Sequence, residues 1–162
     1  RIAWFKVYKP LYYYSAFFSR RAEAFDVVVM ASGYEAIKAK LRELEQKISN
    51  RTASNKESEL YITLLLALEM TARGYTFKQV DIMKSHATDF LIEDNSLRIP
   101  FSAVDSLGEA TAKSIMDARN EAIFTSRQDV LNRTRLTTTL YERLLQLGAF
   151  GNLPENDQIG LF

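Results

Sequence analysis

The chain has 162 residues, 47% of them apolar, and a formal net charge of +1. That is enough apolar material for a core in one domain or two small ones, but too little excess charge for a polycation that holds nucleic acid by bulk attraction. The absence of cysteine excludes disulfides and thiolate metal sites, and no run of about 18 apolar residues offers a membrane-spanning helix.

Charge is unevenly spread. Residues 1–21 carry Arg1, Lys6, Lys9, Arg20 and Arg21 and no acid, while residues 151–162 carry two acids and no base. The same N-terminal stretch is dense in rings: Trp4, Phe5, Tyr8, Tyr12, Tyr13, Tyr14, Phe17 and Phe18. Their spacing is helical, and Pro10 is placed to open a second helix at its first turn. Two readings stand side by side. The rings pack a core shared with upstream sequence, or they form a basic-aromatic surface along a nucleic-acid strand, with rings stacking and cations meeting phosphates. The chain begins without Met, inside an apolar pattern and with no signal-peptide h-region. It is therefore expected to be a C-terminal fragment of a longer protein.

A helix is predicted over Tyr34–Ile48, with Ser32 and Glu35 at capping-box spacing and Ile37, Leu41, Leu44 and Ile48 as its apolar stripe. Its charged face reads as solvated surface. After the polar stretch 50–55, a second helix is expected over Glu57–Arg73, capped by Ser54 and Glu57 and stopped by Gly74. Leu60, Leu64, Leu65, Leu68 and Ala72 are its expected buried side. Residues 75–80 alternate like a short strand, and the turn 94–96 between Phe90–Glu93 and Leu97–Ile99 predicts a β-hairpin. His86, the single histidine, lacks any partner motif and reads as structural.

The segment Asp105-Ser106-Leu107-Gly108 is a turn running straight into a strongly helical stretch. The first N–H groups of such a helix lack intrahelical partners, and with the helix dipole behind them they suit an anion. Ala112, Ile115, Met116 and Arg119 share one face of this helix. Thr125-Ser126 can cap a third helix, and Leu136-Thr137 leads to a last one ending at Gly148. Residues 105–150 hold six acids and six bases, so any DNA contact there must rest on placed donors. The acids Asp81, Asp89, Glu93 and Asp94 make no paired-carboxylate metal motif.

These helices resemble the helix-hairpin-helix family on Leu107-Gly108, Ala112 and Ile115, with Lys113 at the phosphate end. The departure is Ser106, where the family pattern has glycine and φ is expected to be positive. The resemblance implies sequence-independent duplex binding, with the Leu107, Gly108 and Glu109 N–H groups on a phosphate and Lys113 neutralising it. The second pair, around Leu136–Thr139, lacks glycines and reads as the packing partner of the first. At the end of the chain, Gln158 and Leu161-Phe162 resemble the Gln-x-x-Leu-Phe peptide by which bacterial replication proteins bind the sliding clamp, carried on a polar linker, 152–157.

Over its whole length the chain resembles the C-terminal part of PolC-type replicative DNA polymerases, the DNA polymerase III alpha subunit of low-GC Gram-positive bacteria. The carriers are Arg1–Tyr14, Arg73-Gly-Tyr, Leu107–Arg119 and the terminal Gln-Ile-Gly-Leu-Phe. The resemblance implies a mainly α fold with a small β-hairpin element. It divides the chain into fingers helices (1–74), a β-hairpin connector (75–104), a helix-hairpin-helix region (105–150) and a flexible tail with the clamp motif (151–162). It also implies a cytoplasmic parent enzyme that uses Mg and a 3′–5′ exonuclease. The expected partners are template-primer duplex, the sliding clamp and other replisome subunits. No catalytic residue, metal ligand or cofactor is expected in this chain. The alternative is a clamp-tethered DNA-binding accessory module that is never enzymatic.

Overall fold

The structure, a computed structural model, describes residues 2–157. Arg1, Gln158, Leu161 and Phe162, with the two residues between, lie outside that range. The N-terminal half is helical: α1 (Ile2–Tyr8), α2 (Pro10–Ser19), α3 (Val27–Ala31), α4 (Tyr34–Ser49) and α5 (Asn55–Ala72). A three-stranded sheet follows, β1 (Thr76–Lys78), β2 (Leu91–Glu93) and β3 (Ser96–Arg98), and then α6 (Glu109–Glu121), α7 (Arg127–Arg133) and α8 (Thr138–Gln146). The architecture is mainly α with a small sheet, as expected.

Pro10 does open α2 at its first turn. Of the N-terminal rings, Tyr14 and Phe18 are fully buried, whereas Trp4, Phe5, Tyr8 and Tyr12 stay about half exposed or more, Tyr8 at 66%. Phe18 joins Phe25, Phe77 and Phe90 in a four-ring cluster with centroid separations from 4.9 to 6.2 Å. Such edge and tilted ring pairs add to the area they bury, and this cluster fastens α2 to the sheet. The Ser15 hydroxyl donates to the Phe90 carbonyl at 2.6 Å, and the Phe90 N–H donates to Ser19 Oγ at 2.9 Å. Behind them, the Tyr14 hydroxyl donates to Glu69 at 2.9 Å and accepts from Arg73 at 2.9 Å. Burial pushes the Tyr14 phenol up to about 12, so it stays protonated and keeps donating.

The capping box expected for α4 is not there. Ser32 ends α3 instead, and its hydroxyl donates to the Val28 carbonyl at 2.6 Å. Gly33, at φ +98°, is the N-cap. The cause is α3, a short helix started by Asp26, whose carboxylate accepts from the Val28 and Val29 N–H groups. Ile37, Leu41 and Leu44 are buried as predicted, but Ile48 runs past the core and is 39% exposed. On α5 the box is complete. Ser54 Oγ accepts from the Glu57 N–H at 3.1 Å, and Glu57 accepts from the Ser54 N–H at 3.2 Å. Its buried face centres on Thr63, Leu64, Ala67 and Met70, not on the leucine stripe alone; Leu65 and Ala72 face outward.

The hairpin β2–β3 forms with Asp94 at φ +55° in its turn. β1 adds to the far edge of β3 in parallel, pairing Phe77 with Leu97, which puts β3 in the centre. Arg98 of β3 is nearly buried. It pairs bidentately with Glu93, Nε–Oε2 2.6 Å and Nη2–Oε1 2.7 Å, and donates to the Gln79 carbonyl at 2.9 Å. His86 is structural: its Nδ1 accepts from the Thr88 and Asp89 N–H groups at 3.1 and 3.0 Å.

Candidate nucleic-acid interface

Residues 104–109 connect the sheet region to α6. Ser106 sits at φ +65°, a left-handed conformation that costs a residue with a Cβ about 1–2 kcal/mol. The positive φ expected where the family pattern has glycine is therefore present, and a serine adopts it. Leu107 follows with its side chain buried. Its N–H donates to the Val104 carbonyl at 3.1 Å, so this group, expected to meet a phosphate, is spent on closing the turn.

Gly108 is the N-cap of α6, and no side chain caps this end. The first helix-closing bond runs from the Ala112 N–H to the Gly108 carbonyl at 3.0 Å. The N–H groups of Glu109, Ala110 and Thr111 precede it and point out of the helix end. Elsewhere Asp26, Ser54, Ser126 and Thr137 cap α3, α5, α7 and α8 with their own side chains. Gly108 has φ −72°, which any residue adopts, and a Cβ built on it would meet nothing within 4 Å. The fold does not need glycine there. Lys113 stands exposed one turn into α6.

Behind the turn, α6 rests on the other two helices. Ala112, Ile115 and Ala118 are buried with Val130, Leu136, Leu140 and Leu144. Arg119 points inward and donates to the Ile82 and Ser85 carbonyls at 3.2 and 2.9 Å, and its burial pulls its pKa down from the usual value. Arg133 of α7 closes the far end of α6 by donating to the Ala118 and Ala122 carbonyls. Ser114 Oγ accepts from the Arg135 N–H at 3.0 Å, which brings the α7–α8 loop against the first half of α6. From α8, Arg143 donates to the Asp105 carbonyl inside the turn. Arg143 is at i+3 from Leu140 and i−4 from Leu147, so spacing sets it beside the apolar stripe of α8, but the element it reaches is not given by that spacing.

The turn also forms one wall of a cleft of about 910 Å³, whose other wall includes Arg20, Arg21 and Lys56. Glu23, Glu59, Asp105 and Glu109 share it, and Arg21 is paired with Glu59 at 2.9 Å. The cleft thus mixes three cations with four carboxylates and carries no excess positive charge. Lys56 lies 3.6 Å from Asp105, both largely exposed, a pair that contributes little.

The segment 152–157, expected as a linker, crosses the start of α7. The Arg127 and Gln128 N–H groups donate to the Pro154 and Glu155 carbonyls at 2.8 and 2.9 Å, and the Thr125 hydroxyl donates to Asp157 at 2.6 Å. Gln158, Leu161 and Phe162, expected from the sequence to bind the clamp, lie outside the described residues. Among the described residues no group of three or more His, Asp or Glu side chains is placed to hold a metal, and no helix is long and apolar enough to cross a membrane.

A family model described as the helix-hairpin-helix motif matches residues 74–159. Over all 162 residues the chain is 49% identical to the DNA polymerase III PolC-type of Streptococcus suis (strain 98HAH33). It is 46% identical over the same length to the proteins of that name from Streptococcus sanguinis (strain SK36) and Streptococcus pneumoniae serotype 2 (strain D39 / NCTC 7466). The chain spans 11% of the length of these curated relatives. It belongs to the helix-hairpin-helix family, and it is homologous from end to end to a segment of PolC-type DNA polymerase III.

Proposed function

We propose, with helix-hairpin-helix membership as the premise, that this chain is the C-terminal, duplex-gripping part of a PolC-type replicative DNA polymerase. The observation that carries the reading is Gly108. It occupies a helix N-cap with an ordinary φ and open space around it, so an anion approaching this helix end meets no side chain there. A phosphate oxygen is suited to that position. It would accept from the Gly108 and Glu109 N–H groups with the positive end of α6 behind them, while Lys113 supplies the charge. Ser106 and Leu107 would shape the turn, Leu107 as its buried anchor. Contacts of this kind position a duplex without reading bases.

In this reading the parent enzyme is cytoplasmic, extends a primer with Mg held by palm aspartates, and proofreads with a 3′–5′ exonuclease. The chain itself binds and does not catalyse. Gln158, Leu161 and Phe162 would dock on the sliding clamp and bring the parent into contact with other replisome subunits.

Two experiments test the two halves. Gly108→Ser supplies a capping hydroxyl, so the unfolding midpoint holds or rises, by a few tenths of a kcal/mol. Duplex affinity falls, because the hydroxyl takes the helix donors and fills the approach. Undiminished duplex affinity in this variant would sink the phosphate site. Separately, deleting Leu161 and Phe162 is expected to abolish clamp binding in a pull-down while leaving duplex affinity unchanged, and normal clamp capture by the truncated chain would refute the tether.

A further inference from the structure

We infer that Arg143 is a positioning residue for the hairpin turn: from α8 it holds the Asp105 carbonyl and so locks Ser106 in the left-handed conformation that glycine would adopt unaided. The inference rests on the duplex-binding reading for its functional consequence and on the geometry alone for its structural one. Ser106 is at φ +65°, and a serine there relaxes toward negative φ unless its surroundings prevent it. The relevant rotation swings the rigid Asp105–Ser106 peptide plane about the Ser106 N–Cα bond. The carbonyl at one end of that plane accepts a charged hydrogen bond from Arg143. Relaxation of Ser106 that swings this plane pulls the carbonyl off the guanidinium. The Ser106 N–H, on the opposite edge of the same plane, is aimed by the same contact.

The brace is anchored. α8 is fixed by the buried Leu140 and Leu144 and by Thr137, whose hydroxyl accepts from the Leu140 N–H at 3.2 Å. Two other contacts act on the turn. The Leu107 N–H to Val104 carbonyl bond spans Asp105 and Ser106 and holds them from within the loop, so Arg143 adds the restraint that comes from another element and exchange at Leu107 reads its loss. The Lys56–Asp105 pair acts on the Asp105 side chain and is largely exposed. The glycine-free second helical pair is then a brace for the first, which explains how a serine replaces a glycine without losing the turn.

The test compares the 162-residue chain with Arg143→Met, Arg143→Lys and Arg143→Met combined with Ser106→Gly. Each is measured for affinity to a short random-sequence duplex, for hydrogen exchange at the Leu107 amide, and for its unfolding midpoint. Arg143→Met is expected to weaken binding about tenfold, roughly 1.4 kcal/mol, and to speed Leu107 exchange, with the midpoint close to wild type. Adding Ser106→Gly restores both, because glycine holds positive φ unaided. Arg143→Lys keeps most of the affinity, since its ammonium still donates to the carbonyl. Unchanged exchange in Arg143→Met overturns the brace. So does a loss of affinity that Ser106→Gly leaves in place, which would make Arg143 a direct phosphate contact. If the wild-type chain fails to bind duplex at all, the duplex reading fails, and the exchange rates alone decide the brace.

Discussion

Glu93 and Arg98 show how single residues tie this small sheet to its surroundings. Arg98 is nearly buried and gives Glu93 two short hydrogen bonds while its third donor reaches the Gln79 carbonyl. Those bonds from Arg98 hold the Glu93 carboxyl below the usual carboxylate range. Because the folded-state pKa is depressed, the pair stabilises the fold fully above the unfolded-state value, about 4.3. That contribution is lost as pH falls from there through the folded-state pKa. Glu93→Gln is therefore expected to cost about 2 kcal/mol at pH 7, measured by urea unfolding. The gap to wild type should close on acidification below about pH 4. A gap that stays constant between pH 7 and pH 3 would show that the pair is not what the substitution removes.

At the scale of elements, what was legible in the sequence is what is settled locally. Ser54 and Glu57 announce a helix start because the two groups that satisfy each other lie within one turn. Ser32 and Glu35 have the same spacing, but the hydroxyl of Ser32 is claimed by the preceding α3, a five-residue helix too short to show periodicity. On α5 the leucines mislead. Leu65 is 45% exposed while Ala67 and Thr63 are buried, and Thr63 satisfies its hydroxyl on the Glu59 carbonyl. The hairpin β2–β3 was readable from its turn, whereas the parallel partner β1 depends on pairing across about twenty residues of sequence, which no local pattern records. The candidate site divides in the same way. The need for positive φ at Ser106 and the open N-terminus of α6 were legible. The use of the Leu107 N–H is a local turn bond that competes with the expected phosphate contact, whereas the reach of Arg143 from α8 is a tertiary fact.

For the whole molecule, near-neutral charge sets the character of any DNA contact. Residues 105–150 balance at six acids and six bases, and the cleft beside the turn mixes three cations with four carboxylates. Affinity must come from aimed N–H donors and a few cations such as Lys113, so it should be modest. In the proposed assembly the clamp tail would compensate by keeping the turn at high local concentration on the duplex. The most direct test of this account is the salt dependence of duplex binding by the chain alone, on duplexes of unrelated sequence. The account predicts a log–log slope between about −2 and −4, as expected for neutralising two to four phosphates, with the same slope on every sequence. A slope near zero, or a strong preference for one sequence, would contradict it.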